Sequence, residues 1–366
     1  MNPLQRLWHD FGQAVWLDYI ERDLVTGGGL ARLVAEDGVR GVTSNPSIFH
    51  QAITGGEAYA DAIRSLIAEQ PTISTTELYE ALAIDDIRSA ADVLRPVFDG
   101  ADGSDGFVSL EVSPHLAHDT AGTVEEARRL WRQVDRPNLM IKVPATAAGL
   151  PAVETLIGDG INVNVTLMFS LADYEGVAAA YLAGLERCAE PSRVASVASF
   201  FISRVDTMVD AQLDGMGTVE ARTLRGTAAV ANACMAYRRF EEIFHGGAFA
   251  GHRDRGAKVQ RPLWASTSTK NPDYDDVKYV EELVGAETVN TIPTATLDAY
   301  RDHGMPSRAL AEGVKSCSER LEALHRIGID LDAVTAQLQV DGVAAFAASF
   351  DQLIAALDAA RGEVGF

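Results

Sequence analysis

Short apolar runs recur along the chain, and stretches with helical periodicity separate most of them. Eight runs rich in valine, isoleucine and leucine predict strands at Val15–Ile20, Gly41–Asn45, Phe107–Ser113, Leu139–Ala145, Asn162–Phe169, Val197–Arg204, Pro262–Thr267 and Thr288–Pro293. Several are apolar almost throughout, which is typical of parallel strands covered on both faces. Eight such strands alternating with helices favour a closed (β/α)8 barrel over an open doubly wound sheet.

Helical patterns fill the connections, for example at Thr123–Gln133, Leu150–Asp159 and Asp173–Glu190. Two connections are too long for a loop and one helix, so we expect inserted helices there. The first contains helical patterns at Ala58–Glu69 and Thr75–Val97, and the second is Val205–Arg261. The tail Val340–Arg361 has an amphipathic period. We therefore expect one decorated barrel domain over residues 1–366.

The first strand is not followed by the glycine pattern of a dinucleotide-binding fold. Gly27, Gly28 and Gly29 lack the G-x-G-x-x-G spacing, and they indicate a turn before a helix at Leu30–Glu36. This spacing weakens the open-sheet alternative further.

Composition narrows the classes of partner. A net charge of −21 in 366 residues argues against nucleic acid, which is bound through excess lysine and arginine, but it allows a small anion held by a few cations. The three cysteines suit free thiols in a reducing cytosol. The amino terminus lacks an apolar signal region, and no run reaches the ~18–20 consecutive apolar residues of a membrane helix. We expect a soluble cytoplasmic protein without a membrane partner; a homo-oligomer is left open.

Polar side chains follow the predicted strands at the end where such barrels carry their chemistry. They are Asp18, Thr43, Ser44, Asn45, Glu111, Lys142, Asn164, Thr166, Ser203, Arg204, Ser266 and Thr267. An apolar strand directs such groups toward the barrel interior only if they are hydrogen-bonded there or used.

Lys142 lies in the apolar segment Leu-Met-Ile-Lys-Val-Pro-Ala. One interpretation is a lysine whose ammonium group reaches solvent at the strand end. The other is a Schiff-base amine, because desolvation disfavours the ammonium form and leaves a free amine to attack a carbonyl. Taken singly, Lys142 allows both interpretations.

The neighbouring residues have plain structural interpretations as well. Asp18 and Glu111 are equally compatible with structural ion pairs, and the turn at Thr43–Pro46 with a capped helix start. His115 and His118 follow Glu111 with a spacing that suggests a metal site, but His-x-x-His is common by chance. We predict no metal and no cofactor.

Taken together, segments at six strands resemble the transaldolase family, in the family's order from about Gln13 to the final helix. The segments are Trp16–Asp18, Gly41–Phe49, Val108–Val112, Met140–Thr146, Asn162–Ser170 and Trp264–Pro272. The last of them resembles the longer bacterial branch.

The resemblance implies a lysine-dependent transfer of a dihydroxyacetone unit between sugar phosphates. Lys142 would form the Schiff base, Asp18 would move the proton during carbon–carbon cleavage, and Glu111 with Thr166 would hold a water. Asn45 and Asn164 would bind the donor hydroxyls, with Thr43 and Ser44 beside them. Ser203, Arg204 and Ser266 would bind the phosphate. Where the shorter enzymes have an arginine this chain has Ser268, so Lys270 is the candidate substitute.

Two other functions stay open. A related lysine-dependent aldolase, of the fructose-6-phosphate or deoxyribose-phosphate type, would release the three-carbon or two-carbon fragment to water instead of passing it to an aldehyde. A non-catalytic barrel would only bind sugar phosphates. The set of Asp18, Glu111 and Lys142 argues against the second, because a binding protein has no use for an amine beside two carboxylates.

Overall fold

A computed structural model of the chain describes residues 1–55 and 58–363. Eight parallel strands close a barrel in the order of the sequence, and the last strand pairs with the first. They are β1 Gln13–Leu17, β2 Val39–Val42, β3 Phe107–Glu111, β4 Leu139–Pro144, β5 Val163–Met168, β6 Ser196–Phe201, β7 Arg261–Ala265 and β8 Thr288–Ile292. The predicted (β/α)8 fold is confirmed. Residues 56–57 and 364–366 of the predicted 1–366 domain lie outside the described residues.

Helices surround this barrel, including the two insertions that the long connections predict. They are α1 Pro3–Phe11, α2 Arg22–Thr26, α3 Gly29–Arg32, α4 Pro46–Thr54, α5 Ala60–Glu69, α6 Thr75–Gly100, α7 Thr120–Val134, α8 Gly149–Gly158, α9 Leu171–Arg187, α10 Ser203–Met216, α11 Val219–Leu224, α12 Ala228–Phe244, α13 Ala250–Asp254, α14 Lys278–Glu281, α15 Thr294–His303, α16 Ala309–Arg326 and α17 Leu331–Glu363. A π-helical turn, Leu33–Asp37, follows α3, and 3₁₀ turns lie at Pro114–Leu116, Pro191–Arg193 and Gly247–Phe249.

The predicted boundary of the sixth strand is wrong at its carboxyl end. β6 ends at Phe201, and α10 begins at Ser203, so Arg204 lies in the first turn of a helix. The residues from Val197 to Val209 stay largely apolar across this junction, and hydrophobicity alone therefore does not mark where the strand ends.

The C-terminal helix α17 is longer than predicted and packs on the carboxyl ends of the strands. Its Gln339 Nε2 donates to the carbonyl oxygens of Ala145 at 3.1 Å and Leu167 at 3.2 Å. The stretch Leu331–Arg361 is long and apolar enough to cross a membrane, with a mean hydropathy of 1.4. One such helix is only weak evidence for a membrane span, because core helices of soluble proteins have the same properties. In the structure this stretch packs on the barrel, where Phe346 is buried.

At the opposite end of the barrel, one buried carboxylate joins several strands. Asp105, just before β3, is fully buried. Its Oδ1 accepts from Trp16 Nε1 at 2.9 Å, and its Oδ2 lies 2.7 Å from Arg40 Nε. Arg261, the first residue of β7, adds a contact to Oδ1 at 3.3 Å. Asp105 thus contacts residues of β1, β2 and β7. Its loss would leave Arg40 and Arg261 without their shared carboxylate.

We predict that Asp105→Ala lowers stability by about 3–5 kcal/mol, the usual cost of removing one partner from a buried ion pair. Thermal unfolding measured by calorimetry checks this. The matched control is Asp99→Ala, which removes an exposed pair with Arg95 and should cost less than ~1 kcal/mol. Equal unfolding temperatures for the two variants would contradict the role given to Asp105.

Candidate active site

A cavity of about 350 Å³ opens at the carboxyl ends of the strands. The residues predicted from the sequence that line it are Asp18, Thr43, Asn45, Lys142, Thr166, Arg204, Ser266 and Lys270. They come from β4 and β5 and from the segments that follow β1, β2, β6 and β7. The closed barrel thus brings together side chains that lie up to about 250 positions apart in the sequence.

Lys142 projects from β4 into the barrel and does not reach bulk solvent. Its side chain is 7% exposed, and its Nζ donates to Ser44 O at 3.2 Å and to Glu111 Oε2 at 3.3 Å. The ring of Phe346, from α17, has its centroid 5.6 Å from Nζ. The amine is therefore next to a proton acceptor. The interpretation of Lys142 as a lysine whose ammonium group reaches solvent is wrong.

The two carboxylates differ in their surroundings. Asp18 Oδ1 accepts from Thr43 Oγ1 at 2.8 Å, whereas Glu111 contacts Lys142 directly. Burial raises the pKa of Asp18; the positive charge of Lys142, the Thr43 bond and Lys270 oppose this increase only in part. Burial also raises the pKa of Glu111 against the charge and hydrogen bond of Lys142. Both carboxyls thus have pKa values above those of exposed carboxyls, and a higher pKa makes each carboxylate a stronger proton acceptor.

The turn after β2 serves as a helix cap and as a wall of the cavity. Asn45 Oδ1 accepts from Ile48 N at 3.0 Å, and Pro46 opens α4, so the capping interpretation is correct. Ser44 is fully buried, and its Oγ donates to Ser109 O at 2.7 Å. Ser44 therefore faces away from the cavity with its side chain, and it contacts Lys142 through its carbonyl oxygen.

Asn164 and Thr166 lie two positions apart on β5 but differ in their contacts. Thr166 Oγ1 is buried beside the cavity, without a hydrogen-bond partner in the part of the chain that the structure describes. Asn164 is fully buried; its Nδ2 donates to Ser109 Oγ at 3.0 Å, and its Oδ1 accepts from Ser199 Oγ at 2.6 Å. Direct contact between Asn164 and a substrate stays a prediction, because the amide is engaged within the barrel.

The far side of the cavity is cationic. Arg204 lies over the ring of Phe201 at 5.6 Å, and burial lowers the pKa of its guanidinium. Lys270 is exposed, and its Nζ donates to Ser268 Oγ at 2.7 Å. Within residues 1–55 and 58–363, neither cation has a carboxylate partner within 4.0 Å. Both charges are consequently available to an anion.

Two serines connect the elements that carry these cations. Ser203 is buried, and its Oγ lies 3.0 Å from Ser266 Oγ. Ser266 has a positive φ of 57°, a conformation that turns the chain sharply after β7. Ser203 therefore supports this region from behind, and Ser266 lines the cavity.

Sequence reasoning missed several residues of the cavity wall, among them Ser199, Phe201 and Phe346. Ser199 and Phe201 alternate along β6, so a strict period of two in that strand would have placed both on one face. Phe346 belongs to a helix that reaches Lys142 only through tertiary packing, and its spacing in the sequence predicts burial but not its neighbour.

Three other features of the described residues could suggest a site, but none of them brings the lysine, the carboxylates and the cations together. A larger cavity of about 480 Å³ lies at the amino-terminal ends of the strands, so volume alone does not identify the site. His115 pairs with Asp351 at 2.7 Å while Glu111 faces Lys142, so the suggested metal spacing does not converge. Asp275, Asp276 and His303 form an exposed group with ligand atoms within 4.8 Å of one another, to which we assign no role.

Comparison with known proteins gives a consistent result. The family model described as Transaldolase/Fructose-6-phosphate aldolase matches residues 15–357. A protein named Transaldolase from Thiobacillus denitrificans is 53% identical over 94% of this chain and 96% of its own length. Transaldolase 1 from Streptomyces coelicolor is 49% identical, over 97% of this chain and 94% of its own length. The Mycolicibacterium smegmatis protein named Transaldolase is 47% identical over 99% and 98% of the two chains.

The free cations predict that the cavity binds inorganic phosphate. We expect Arg204→Gln to weaken this binding by about tenfold or more, because a guanidinium makes paired, charge-assisted bonds to phosphate. Calorimetric titration measures the affinity, and the gain in unfolding temperature with phosphate gives a second readout. Arg6→Gln, at an exposed pair on α1, is the matched control. Equal affinities for the two variants would remove Arg204 from the anion site.

Proposed function

The chain belongs to the transaldolase/fructose-6-phosphate aldolase family and acts as a transaldolase, and we propose that it does so through a Schiff base at Lys142. The donor is a ketose phosphate, sedoheptulose 7-phosphate or fructose 6-phosphate. The acceptor is an aldose phosphate, glyceraldehyde 3-phosphate or erythrose 4-phosphate. This exchange belongs to the non-oxidative pentose phosphate pathway. The observation that carries the mechanism is the buried amine of Lys142 in contact with Glu111, at the wall of a cavity that also holds Asp18.

In the first step, the Lys142 amine adds to the ketose carbonyl. The nitrogen gives up protons as the carbinolamine forms, and the hydroxyl leaves as water once it has been protonated. Glu111 lies 3.3 Å from the nitrogen, within the distance for proton transfer directly or through one water. The Thr166 hydroxyl has free hydrogen-bonding capacity beside the cavity and would orient that water. The product is an iminium ion.

The second step breaks the bond between the third and fourth carbons. Asp18 takes the proton of the fourth-carbon hydroxyl, whose oxygen forms the aldehyde carbonyl. The electron pair of the broken bond moves into the iminium and gives an enamine. The raised pKa of Asp18 supports this role, since a stronger base accepts the proton more readily. Addition of the acceptor aldehyde reverses the sequence, and Asp18 returns its proton to the new alkoxide.

Binding groups lie at both ends of this reacting centre. Arg204, Lys270 and Ser266 would hold the phosphate at the cationic side of the cavity. Asn45 lies at the wall near Thr43 and would bind a hydroxyl of the donor. Asn164 would bind a donor hydroxyl only after releasing one of its bonds to Ser109 and Ser199. These contacts would keep the enamine bound while one aldehyde replaces the other.

Two further properties follow as part of the proposal. We place the enzyme in the cytoplasm, where the free thiols of Cys188, Cys234 and Cys317 would stay reduced. We also assign one catalytic centre to one barrel domain per chain.

The experiment that tests the function is trapping with borohydride. Wild-type protein incubated with fructose 6-phosphate should gain a stable three-carbon adduct by intact mass. Lys142→Arg should form none and lose turnover, because a guanidinium stays protonated and cannot act as the amine. A coupled assay with erythrose 4-phosphate measures the turnover. The control is Lys315→Arg, at a lysine that is 92% exposed. More than about a hundredth of the wild-type rate in Lys142→Arg would refute the Schiff base.

The same assay decides between transfer and simple cleavage. A transaldolase consumes fructose 6-phosphate only when an acceptor aldehyde is present, whereas an aldolase releases free dihydroxyacetone without one. The names of the relatives favour transfer.

Removal of Asp18 and removal of Glu111 should slow different steps of the reaction. Asp18→Ala should still form the covalent adduct, because imine formation does not use its proton, and transfer should fall by ~10²–10⁴-fold. Glu111→Ala should slow the formation of the adduct itself. Rapid quenching with borohydride, followed by intact mass over time, separates the two. Full-speed adduct formation in Glu111→Ala together with none in Asp18→Ala would reverse the roles.

A further inference from the structure

Helix α10 carries two buried carboxylates that the mechanism does not use. Asp206 is 1% exposed and Asp210 is 6% exposed, and the spacing of four residues puts them on one face of the helix. Neither lines the cavity. Arg204, two residues before Asp206 on the same helix, does line it.

Both carboxylates are satisfied in the same way. Asp206 accepts from Ala229 N at 2.7 Å and from the Tyr279 hydroxyl at 2.7 Å. Asp210 accepts from Gly226 N at 2.9 Å and from the Tyr274 hydroxyl at 2.6 Å. In each pair the amide lies at or just before the start of α12, and the tyrosine lies beyond β7.

Burial raises the pKa of Asp206 to about 6, and its two hydrogen bonds oppose that increase. The carboxylate is therefore ionised at pH 7 and above, where it accepts both bonds. Hydrogen bonds to a charged acceptor are stronger than those between neutral groups.

The two tyrosines belong to the segment that carries the cationic wall of the cavity. We call residues 266–277, between β7 and α14, the β7 loop. It has no regular secondary structure, and it carries Ser266, Ser268 and Lys270. Thr267 anchors its start by donating to Asn290 Oδ1 at 2.9 Å. At the far end, Tyr274 within the loop and Tyr279 just after it bind α10, and the carbonyl oxygen of Tyr279 accepts from Asn290 Nδ2 at 3.3 Å.

The approach of Tyr274 to α10 requires a glycine at position 226. Gly226 has a φ of +67°, and a Cβ there would lie 2.7 Å from Tyr274 Cζ. The side chain of Lys278 adds a contact from the other side, with its Nζ 5.9 Å from the Tyr274 ring and 5.7 Å from the Tyr279 ring. The tyrosines are therefore held in fixed positions.

We infer that Asp206 and Asp210 are positioning residues for the phosphate of the sugar, an inference that rests on the proposed function. Through Tyr279 and Tyr274 they fix the β7 loop to the helix that carries Arg204. Lys270 and Arg204, which belong to different elements, are thereby held at one end of the same cavity before a ligand arrives. Such preorganisation increases affinity because the loop loses less conformational freedom on binding.

The test removes one hydroxyl and keeps the ring. Tyr274→Phe should raise the Kd for inorganic phosphate and the KM for fructose 6-phosphate by about five- to tenfold, the effect of losing one typical intramolecular hydrogen bond. The kcat should stay within about twofold, because the groups around Lys142 are untouched. Calorimetric titration gives the Kd, and the coupled assay gives KM and kcat.

The matched control is Tyr300→Phe. Tyr300 is fully buried, and within residues 1–55 and 58–363 its hydroxyl has no hydrogen-bond partner. This variant removes a buried hydroxyl elsewhere and should leave the phosphate Kd unchanged. Tyr279→Phe, which acts on Asp206, should resemble Tyr274→Phe and provides a second variant if Tyr274→Phe folds poorly.

Wild-type phosphate affinity in both Tyr274→Phe and Tyr279→Phe would overturn the inference. A fall in kcat with unchanged KM and Kd would also overturn it, because the hydroxyls would then act on the reaction and not on binding. Failure of the proposed function is a separate result: the wild-type protein would form no adduct at Lys142, while the phosphate titration would still report on the β7 loop.

Discussion

The buried pair of Lys142 and Glu111 is the interaction on which the rest of the site depends. Two ionisable groups with almost no exposure face each other at 3.3 Å inside the barrel. Removing charges from water costs several kcal/mol per ion, roughly, and a close partner offsets that cost only with further hydrogen bonds. The carbonyl oxygen of Ser44 supplies one of them. Glu111 thus lies within proton-transfer distance of the Lys142 nitrogen, which is the contact that the proposed formation of the imine uses.

The cations at the far side of the cavity, Arg204 and Lys270, differ from Lys142 because no carboxylate of the described residues pairs with them. Arg204 and Lys270 have no carboxylate partner within 4.0 Å in the described residues, although the chain as a whole carries a net charge of −21. Two free cations in an acidic protein form a local positive region that attracts a phosphate. Asp206 and Asp210 are close along α10 but direct their oxygens to amides and tyrosines, so they fix the framework without neutralising Arg204.

The sequence was sufficient for the barrel and for placing most of the candidate site residues at one cavity. Polar residues within or directly after apolar strands give a strong signal, and Lys142, Asp18 and Thr166 all lie at the cavity as expected. It was less informative where strand meets helix, since hydrophobicity continues from Phe201 into α10. It also did not reveal that the amide of Asn164 is engaged by Ser109 and Ser199, because such contacts join three different strands. Local patterns identify elements, whereas these partners are set by closure of the barrel.

The covering of the site shows the same dependence on distant sequence. Gln339 of α17 binds the carbonyl oxygens of Ala145 and Leu167, which lie just after β4 and within β5. Leu167 has a positive φ of 57° at a register irregularity between β5 and β6, so its carbonyl needs a partner outside the regular ladder. The bond from Gln339 to Leu167 holds α17 against the barrel. Two turns later along α17, Phe346 lies over the amine of Lys142. The irregularity in β5 therefore helps to place Phe346 of the last helix beside the buried amine of Lys142 on the fourth strand.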